Sequence, residues 1–275
     1  MPKTILLTGA TDGIGLAAAR SLVGRGHKLL IHGRSATRLA ATEQALAALC
    51  EGAGSVQSYR ADLGDLAEVE ALAAALAAEH DRLDVLINNA GVLKTATPIS
   101  ADGFDLRFVV NTFAPYLLSR RLLPLLAADG RIINLSSAAQ SPVDPKVLLG
   151  EIHLAEDIDV YAQSKLAITM WSRDLAQSLG DAGPAVVAVN PGSLLATKMV
   201  REGFGIDGKD VGIGAEIIVR AALSDEFAAA SGRYFDNDAG QFADPHADAL
   251  NDEQCARLTE LIETALRRLG ADPAA

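Results

Sequence analysis

Cysteine, aromatic side chains and positive charge are all scarce in this chain. The two cysteines, Cys50 and Cys255, show no Cys-x-x-Cys spacing and have no histidine cluster beside them, so neither a disulfide framework nor a thiolate zinc site is indicated. The five histidines, His27, His32, His80, His153 and His246, are scattered, and each reads as a surface or partly buried side chain, not as a metal ligand. Aromatics make up only 4% of the 275 residues, so Ala, Leu, Val and Ile must build most of the core. Basic residues number 24 against 35 acidic ones, a formal net charge of -11. That balance argues against a general nucleic-acid partner, because neutralising phosphates needs clustered Lys and Arg. No apolar run approaches the roughly eighteen residues of a membrane span. The N-terminal residues lack the charged and long apolar regions of a signal peptide. The expectation is a cytoplasmic protein with no membrane span.

A composition 49% hydrophobic and 21% charged suits a globular protein with a large core. Short apolar runs alternate with helix-length stretches. Strands are expected at Thr4–Thr8, Lys28–His32, Ser55–Arg60, Val85–Asn88, Arg131–Leu135, Ala185–Asn190 and Arg233–Phe235. Helices are expected at 14–25, 37–50, 66–79, 160–179 and 214–223. A further long helix spans 105–127, interrupted near Pro115 and Pro124, and an amphipathic helix at 258–269 closes the chain. Such alternation predicts βαβ units and a parallel sheet covered on both faces. The fold class is therefore a single doubly wound, Rossmann-type α/β domain over 1–270, with a frayed tail at 271–275. The polar, proline-containing stretch 141–159 reads as a long loop with at most a short helix, and long loops in compact domains are commonly functional.

The first strand runs into Thr8-Gly9-Ala10-Thr11-Asp12-Gly13-Ile14-Gly15, and a helix follows. Gly9 turns the chain off the strand, Gly13 admits a pyrophosphate close to the backbone, and Gly15 lets the helix pack on the sheet. The helix N-terminus then offers free N–H groups and a favourable dipole to phosphates. Without a Lys-Ser/Thr pair, the loop is not that of a nucleotide hydrolase. At the end of the second strand an acidic residue would bond the ribose 2′-OH of NAD and repel a 2′-phosphate. Arg34 stands there instead, with Ser35 beside it and Arg38 one helical turn on. A guanidinium pairs with phosphate through two N–H bonds, so NADP(H) is expected in preference to NAD(H). Asp62, followed by Leu63, is placed either to accept a bond from the adenine amino group or to cap the next helix, a role for which Asp65 competes.

Tyr161 and Lys165 are four residues apart and share one helix face. An ammonium there favours the phenolate and would lower the tyrosine pKa from about 10 toward a working value. With Asn88-Asn89-Ala90-Gly91 ending the fourth strand and Ser136-Ser137 ending the fifth, the ordered set resembles the short-chain dehydrogenase/reductase family over nearly the whole chain. The long 141–159 stretch resembles that of the retinol-dehydrogenase-like branch. The resemblance implies Tyr161 as acid/base, Lys165 on the nicotinamide ribose, and Ser137, or less favourably Ser136, on the substrate oxygen. It also implies Asn111 holding a relay water, Asn89, Ala90 and Gly91 lining the cofactor groove, and Pro191 and Gly192 cradling the nicotinamide. Where such proteins often carry a threonine after the Pro-Gly pair, this chain has Ala196. Thr197, or Ser193, is left to reach the nicotinamide amide. Residues 197–210 are expected to form a mobile lid. The implied activity is carbonyl/alcohol interconversion on a small molecule, in a homodimer or homotetramer built on the two long central helices. A catalytically silent NADP-binding sensor or scaffold is the alternative, and an epimerase of the longer branch is disfavoured by the glycine spacing.

Overall fold

The chain is described by a computed structural model that covers residues 1–272. Eight strands form one sheet: β1 (Thr4–Leu7), β2 (Lys28–Gly33), β3 (Ser55–Arg60), β4 (Leu83–Asn88), β5 (Leu126–Leu135), β6 (Ala185–Asn190), β7 (Tyr234–Asp236) and β8 (Gln241–Ala243). Their order is β3-β2-β1-β4-β5-β6-β7-β8, with every pairing parallel except β7 with β8. Strand periodicity sorts the side chains into two cores. Leu6, Leu30, Leu86, Ile132 and Val186 face one helical layer, while Ile5, Leu7, Ile31, Ile87, Ile133 and Val187 face the other. The order reverses direction between β1 and β4, and the ends of those strands open the crevice in which such sheets bind ligands.

On one face lie α1 (Gly13–Gly24), α2 (Ala36–Ala47) and, from the second half, α9 (Val211–Leu223). On the other lie α3 (Leu66–Glu79), α5 (Ala114–Leu122), α7 (Asp157–Leu179) and α11 (Asp252–Arg268). Short helices α4 (Leu106–Phe108), α6 (Pro145–Leu148), α8 (Lys198–Phe204) and α10 (Asp225–Ala228) complete the described chain. No helix among the described residues is long and apolar enough to cross a membrane.

The structure departs from expectation at several boundaries. The helix expected over 105–127 is α4, a π-helical turn at Val109–Phe113, then α5, and it ends at Leu122. Pro115 has no N–H for the regular ladder, and the turn before it widens so that Ala114 N–H donates to the Val109 carbonyl. Pro124 stops the helix, and β5 starts at Leu126, earlier than expected, with a register shift against β4. The 141–159 stretch contains α6 and the first turn of α7. The 197–210 segment is not wholly irregular, since Thr197 caps α8 through its hydroxyl. The closing helix begins at Asp252, six residues before the expected start, because Asn251 accepts from the Gln254 N–H as an N-cap. Strand β8 was not anticipated; it pairs by hairpin with β7. Of the tail, Ala271 is buried and donates to the Leu266 carbonyl, while 273–275 lie outside the described residues.

Candidate active site

The loop after β1 is built by close backbone approach. Gly9 has φ +66°, and a Cβ there would meet Ala90 Cα at 2.9 Å. A Cβ on Gly15 would meet the Gly9 carbonyl at 2.3 Å and Asn89 Nδ2 at 2.5 Å. The space is taken by Asn89, whose amide donates to the carbonyls of Thr8 (2.8 Å) and Gly9 (3.2 Å). Thr8 Oγ1 in turn accepts the N–H groups of Asn89 and Ala90, both at 3.0 Å. Two strand ends 81 residues apart are thereby locked into one rim. Asp12 caps α1 through the Gly13 N–H, and Ile14 packs against the core, next to Gly214 of α9.

At the end of β2, Arg34 is 75% exposed and stands 3.7 Å from Asp62. That contact is long and solvated, so the guanidinium can be drawn to a ligand at little cost. Arg38 is held more firmly, 2.9 Å from Asp12 and 3.1 Å from the Thr11 carbonyl. The Arg38 guanidinium is the leading cause that holds the Asp12 carboxyl below the usual carboxylate range. Ser35 accepts the Arg38 N–H as the α2 cap. Asp65 is the α3 cap, whereas Asp62 accepts the Gly64 N–H and leaves one oxygen toward Arg34. The Leu63 side chain is buried in the core. Arg60, which the sequence reading missed, donates to the Arg34 carbonyl at 3.3 Å. It stands opposite Gly33 in the β2–β3 register, a pairing that the sequence does not show.

On α7, Lys165 is buried at 4% exposure. Its Nζ donates to the Leu135 carbonyl at 2.7 Å and lies 5.6 Å from the Tyr161 ring centroid. Of the serine pair, Ser136 faces inward. Its Oγ donates to the Lys165 carbonyl at 3.0 Å and lies 2.7 Å from Thr169 Oγ1. Ser137 is the one that reaches Tyr161. The expected depression of the tyrosine is not found. Burial pushes the Tyr161 phenol above its ordinary value, against the opposing hydrogen bond from Ser137. Burial also pushes the Lys165 ammonium down to about 8. Two cationic or polar groups that lose water both shift toward their neutral forms.

Asn111 sits in the π-helical turn. Its Oδ1 accepts the Val92 N–H at 2.8 Å, and its Nδ2 donates to the Val92 carbonyl (2.9 Å) and to Ser164 Oγ (3.0 Å). Gly91 lies between this amide and Lys165: a Cβ there would be 3.3 Å from Asn111 Oδ1 and 3.5 Å from Lys165 Nζ. After β6, Gly192 N–H donates to Asn190 Oδ1, and Asn237 Nδ2 donates to the Pro191 carbonyl at 2.9 Å. Ser193 Oγ is tied to Asp238 at 2.5 Å, whereas the Thr197 methyl lies over the glycine loop, 3.3 Å from where a Gly13 Cβ would be. Leu194 takes a left-handed backbone, φ 56°, a strain of about 1–2 kcal/mol. Backbone bonds from Lys209 N–H to Leu194 (2.7 Å) and from Ala196 N–H to Lys209 (2.6 Å) hold it, closing the neck of the segment that carries α8.

Several supporting residues escaped the sequence reading. Tyr234 Oη and Gln140 Nε2 both donate to the Ser137 carbonyl, at 3.1 and 2.9 Å. Asp236 and Asp238 accept from Asn190. Arg107, buried at 2%, pairs with Asp105 at 2.6 Å and with Asp157 in the first turn of α7. His32, read as a surface or partly buried side chain, is buried at 3%. No group of three or more His, Cys, Asp or Glu suited to a metal ion occurs among the described residues.

Comparison with known proteins places this geometry. A family model described as short chain dehydrogenase matches residues 3–204. Retinol dehydrogenase 13 of Homo sapiens is 32% identical, over 93% of this chain and 81% of its own length. Among solved structures, a short chain dehydrogenase from Burkholderia cenocepacia J2315 in complex with NADP is 26% identical, with TM-score 0.68, over 86% of this chain and 95% of that one. The angucycline C-6 ketoreductase LanV with bound NADP is 27% identical, with TM-score 0.67, over 86% and 93%.

Proposed function

Because the chain belongs to the short-chain dehydrogenase family, and so is an NAD(P)-dependent oxidoreductase acting on a CH–OH group or its carbonyl, we propose that it uses NADP(H), with Tyr161 as acid/base. The observation that carries this reading is the convergence of Ser137, Tyr161 and Lys165 at the mouth of a glycine-lined groove whose adenosine end holds an exposed arginine. The residues fit a dinucleotide. The α1 N-terminus and the Gly9–Gly15 backbone suit the pyrophosphate, Arg34 the 2′-phosphate, Asn89, Ala90 and Gly91 the groove wall, and Pro191, Gly192 and Thr197 the nicotinamide. Bound there, the cofactor supplies or accepts the hydride.

The chain's own groups handle the oxygen. Ser137 Oγ–H and Tyr161 Oη–H both donate to the substrate oxygen, and Tyr161 releases its proton to it as charge develops. The raised pKa of the phenol keeps that proton in place until then. Lys165 Nζ, charged below about pH 8, stabilises the phenolate left behind. The Asn111 side chain is fully engaged, but Pro115 has no N–H to offer the Asn111 carbonyl, which is the group we assign to the relay water. An NADP(H) preference favours reduction, and the cofactor ratio sets the direction. The substrate is a small carbonyl or alcohol compound chosen by residues 140–159 and 194–210.

The direct test is titration of the purified chain with NADPH and NADH, followed by nicotinamide fluorescence and a carbonyl panel. Saturable, tighter NADPH binding is expected; binding of neither nucleotide overturns the proposal.

Tyr234→Phe should reduce turnover roughly tenfold, because one of two donors that orient the Ser137 carbonyl is lost, with cofactor affinity unchanged. Steady-state kinetics showing unaltered kcat would remove Tyr234 from this role.

Self-association through α5 and α7 is not expected. Helix α11 packs along α7 and is tied to α5: Arg173 pairs with Asp252 at 2.7 Å, Tyr116 donates to Glu263 at 2.8 Å, and Cys255, Leu258, Ile262 and Leu266 bury into the same cluster. Sedimentation should show no dimer that depends on this face, and a dimer abolished by charged substitutions on α5 would contradict it.

A further inference from the structure

We infer that His32 is a positioning residue for the dinucleotide loop and that it works only as the neutral, Nε2–H tautomer. The inference rests on the reading of residues 9–15 as the cofactor site, and goes beyond it by naming what holds that loop open.

The ring lies at the end of β2, between the loop after β1 and the end of β3. Its Nδ1 is 3.3 Å from the Gly9 nitrogen, and its Nε2 is 2.9 Å from the Ala61 carbonyl. Gly9 N–H can only donate and a carbonyl can only accept. The tautomer follows: Nδ1 accepts, and Nε2–H donates. The Ala10 N–H donates to the His32 carbonyl at 3.0 Å, so two successive loop amides are bound to one residue. The neighbouring position completes the clasp, since a Cβ on Gly33 would stand 2.6 Å from Thr11 Cγ2. Side chain 32 thus fixes Gly9, at the first turn of the loop, and Ala61, beside Asp62.

Protonation would set an Nδ1–H against the Gly9 N–H, two donors with no acceptor in a buried place. Burial is the leading cause that lowers the imidazole pKa, and the Ala61 carbonyl and Asp62 oppose it. Asp62 is the charged group facing the ring, and it is shared with Arg34. From β3, Tyr59 lies opposite in register but sends its hydroxyl to Glu79 and His80. The β1 loop presents the Gly9 backbone to the ring, and Asp12 further along is paired with Arg38. The sign follows from linkage. The unfolded chain takes up the proton first, so loop order is complete above the ordinary imidazole value near 6.5 and is lost as pH falls below it toward the lowered folded value.

The test uses the full chain and NADH, which lacks the 2′-phosphate that itself titrates in this range. Nitrogen NMR of the free protein should show the Nε2–H tautomer and an exchange-protected Gly9 amide. In fluorescence titrations, the wild-type NADH Kd should rise measurably between about pH 7.5 and about pH 5.5, by a factor below roughly ten because the folded imidazole titrates under its ordinary value near 6.5. His32→Asn keeps an acceptor for Gly9 that does not titrate, and it should hold its affinity at both pH values. His32→Phe should bind weakly at both. An Nδ1–H tautomer, equal affinities for wild type and His32→Phe, or the same acid loss in His32→Asn would each overturn the inference. Protection of Gly9 that depends on His32, with no nucleotide bound at any pH, would instead overturn the dinucleotide reading and leave the positioning role standing.

Discussion

Tyr161→Phe is expected to lower turnover by about three orders of magnitude while NADPH affinity stays within about twofold. The change removes one hydroxyl and keeps the ring, so the half-buried site loses no packing. What disappears is the proton that the substrate oxygen needs as hydride arrives. Ser137 can still donate a hydrogen bond to that oxygen, but it has no neighbouring cation to stabilise an alkoxide. Lys165 does this for the tyrosine, 5.6 Å from the ring centre and anchored on Leu135. The same arrangement sets the pH profile. The Lys165 ammonium, brought down to about 8 by burial, loses its charge as pH rises through that value, and the phenolate loses its stabilising neighbour. Reduction should therefore decline above about pH 8. Lys165→Arg should carry that decline to higher pH, because a guanidinium keeps its proton. Single-turnover kinetics with bound NADPH separate chemistry from binding. Near-normal turnover in Tyr161→Phe would sink the mechanism, whatever the affinity.

Arg34→Asp is expected to raise the NADPH Kd by about a hundredfold and to leave NADH binding within a few-fold, which would reverse the proposed cofactor preference. Three guanidiniums gather at this end of the groove, but they are not equivalent. Arg38 is committed to Asp12 and the Thr11 carbonyl, and Arg60 supports the Arg34 backbone. Arg34 alone combines high exposure with only a long contact to Asp62. An aspartate in its place repels the 2′-phosphate and offers the ribose 2′-OH an acceptor. It also stands beside Asp62, so Arg34→Gln is the companion variant; it should lose NADPH affinity without the like-charge contact. Parallel titrations with both nucleotides decide the matter. Undiminished NADPH affinity in Arg34→Asp would show that the 2′-phosphate lies elsewhere.

The residues legible in the sequence were those whose meaning is local. A glycine loop between strand and helix, an arginine at a strand end, and a tyrosine four residues before a lysine are patterns written within a dozen positions. Helix and strand periodicity carry the α/β order in the same way. The sequence by itself therefore determined the fold class, the βαβ order and the places where cofactor chemistry could gather. Boundaries failed where a neighbour outweighed local preference, as at Leu126, where pairing with Leu83 draws the end of an expected helix into β5.

Tertiary structure decided everything that depends on partners distant in sequence. Ser136 and Ser137 are identical neighbours in the sequence, and only the family resemblance favoured Ser137. They separate because Thr169 and the Lys165 carbonyl claim the first, while Tyr234, 97 residues away, steadies the second. His32 has no local sign of its role, since Gly9 and Ala61 become its partners only when three strands lie side by side. The packing of α11 on α7 likewise follows from one apolar stripe finding another across the molecule. Hydrogen bonds and burial are pairwise properties of folded space. A linear pattern specifies one member of each pair, and the fold supplies the other.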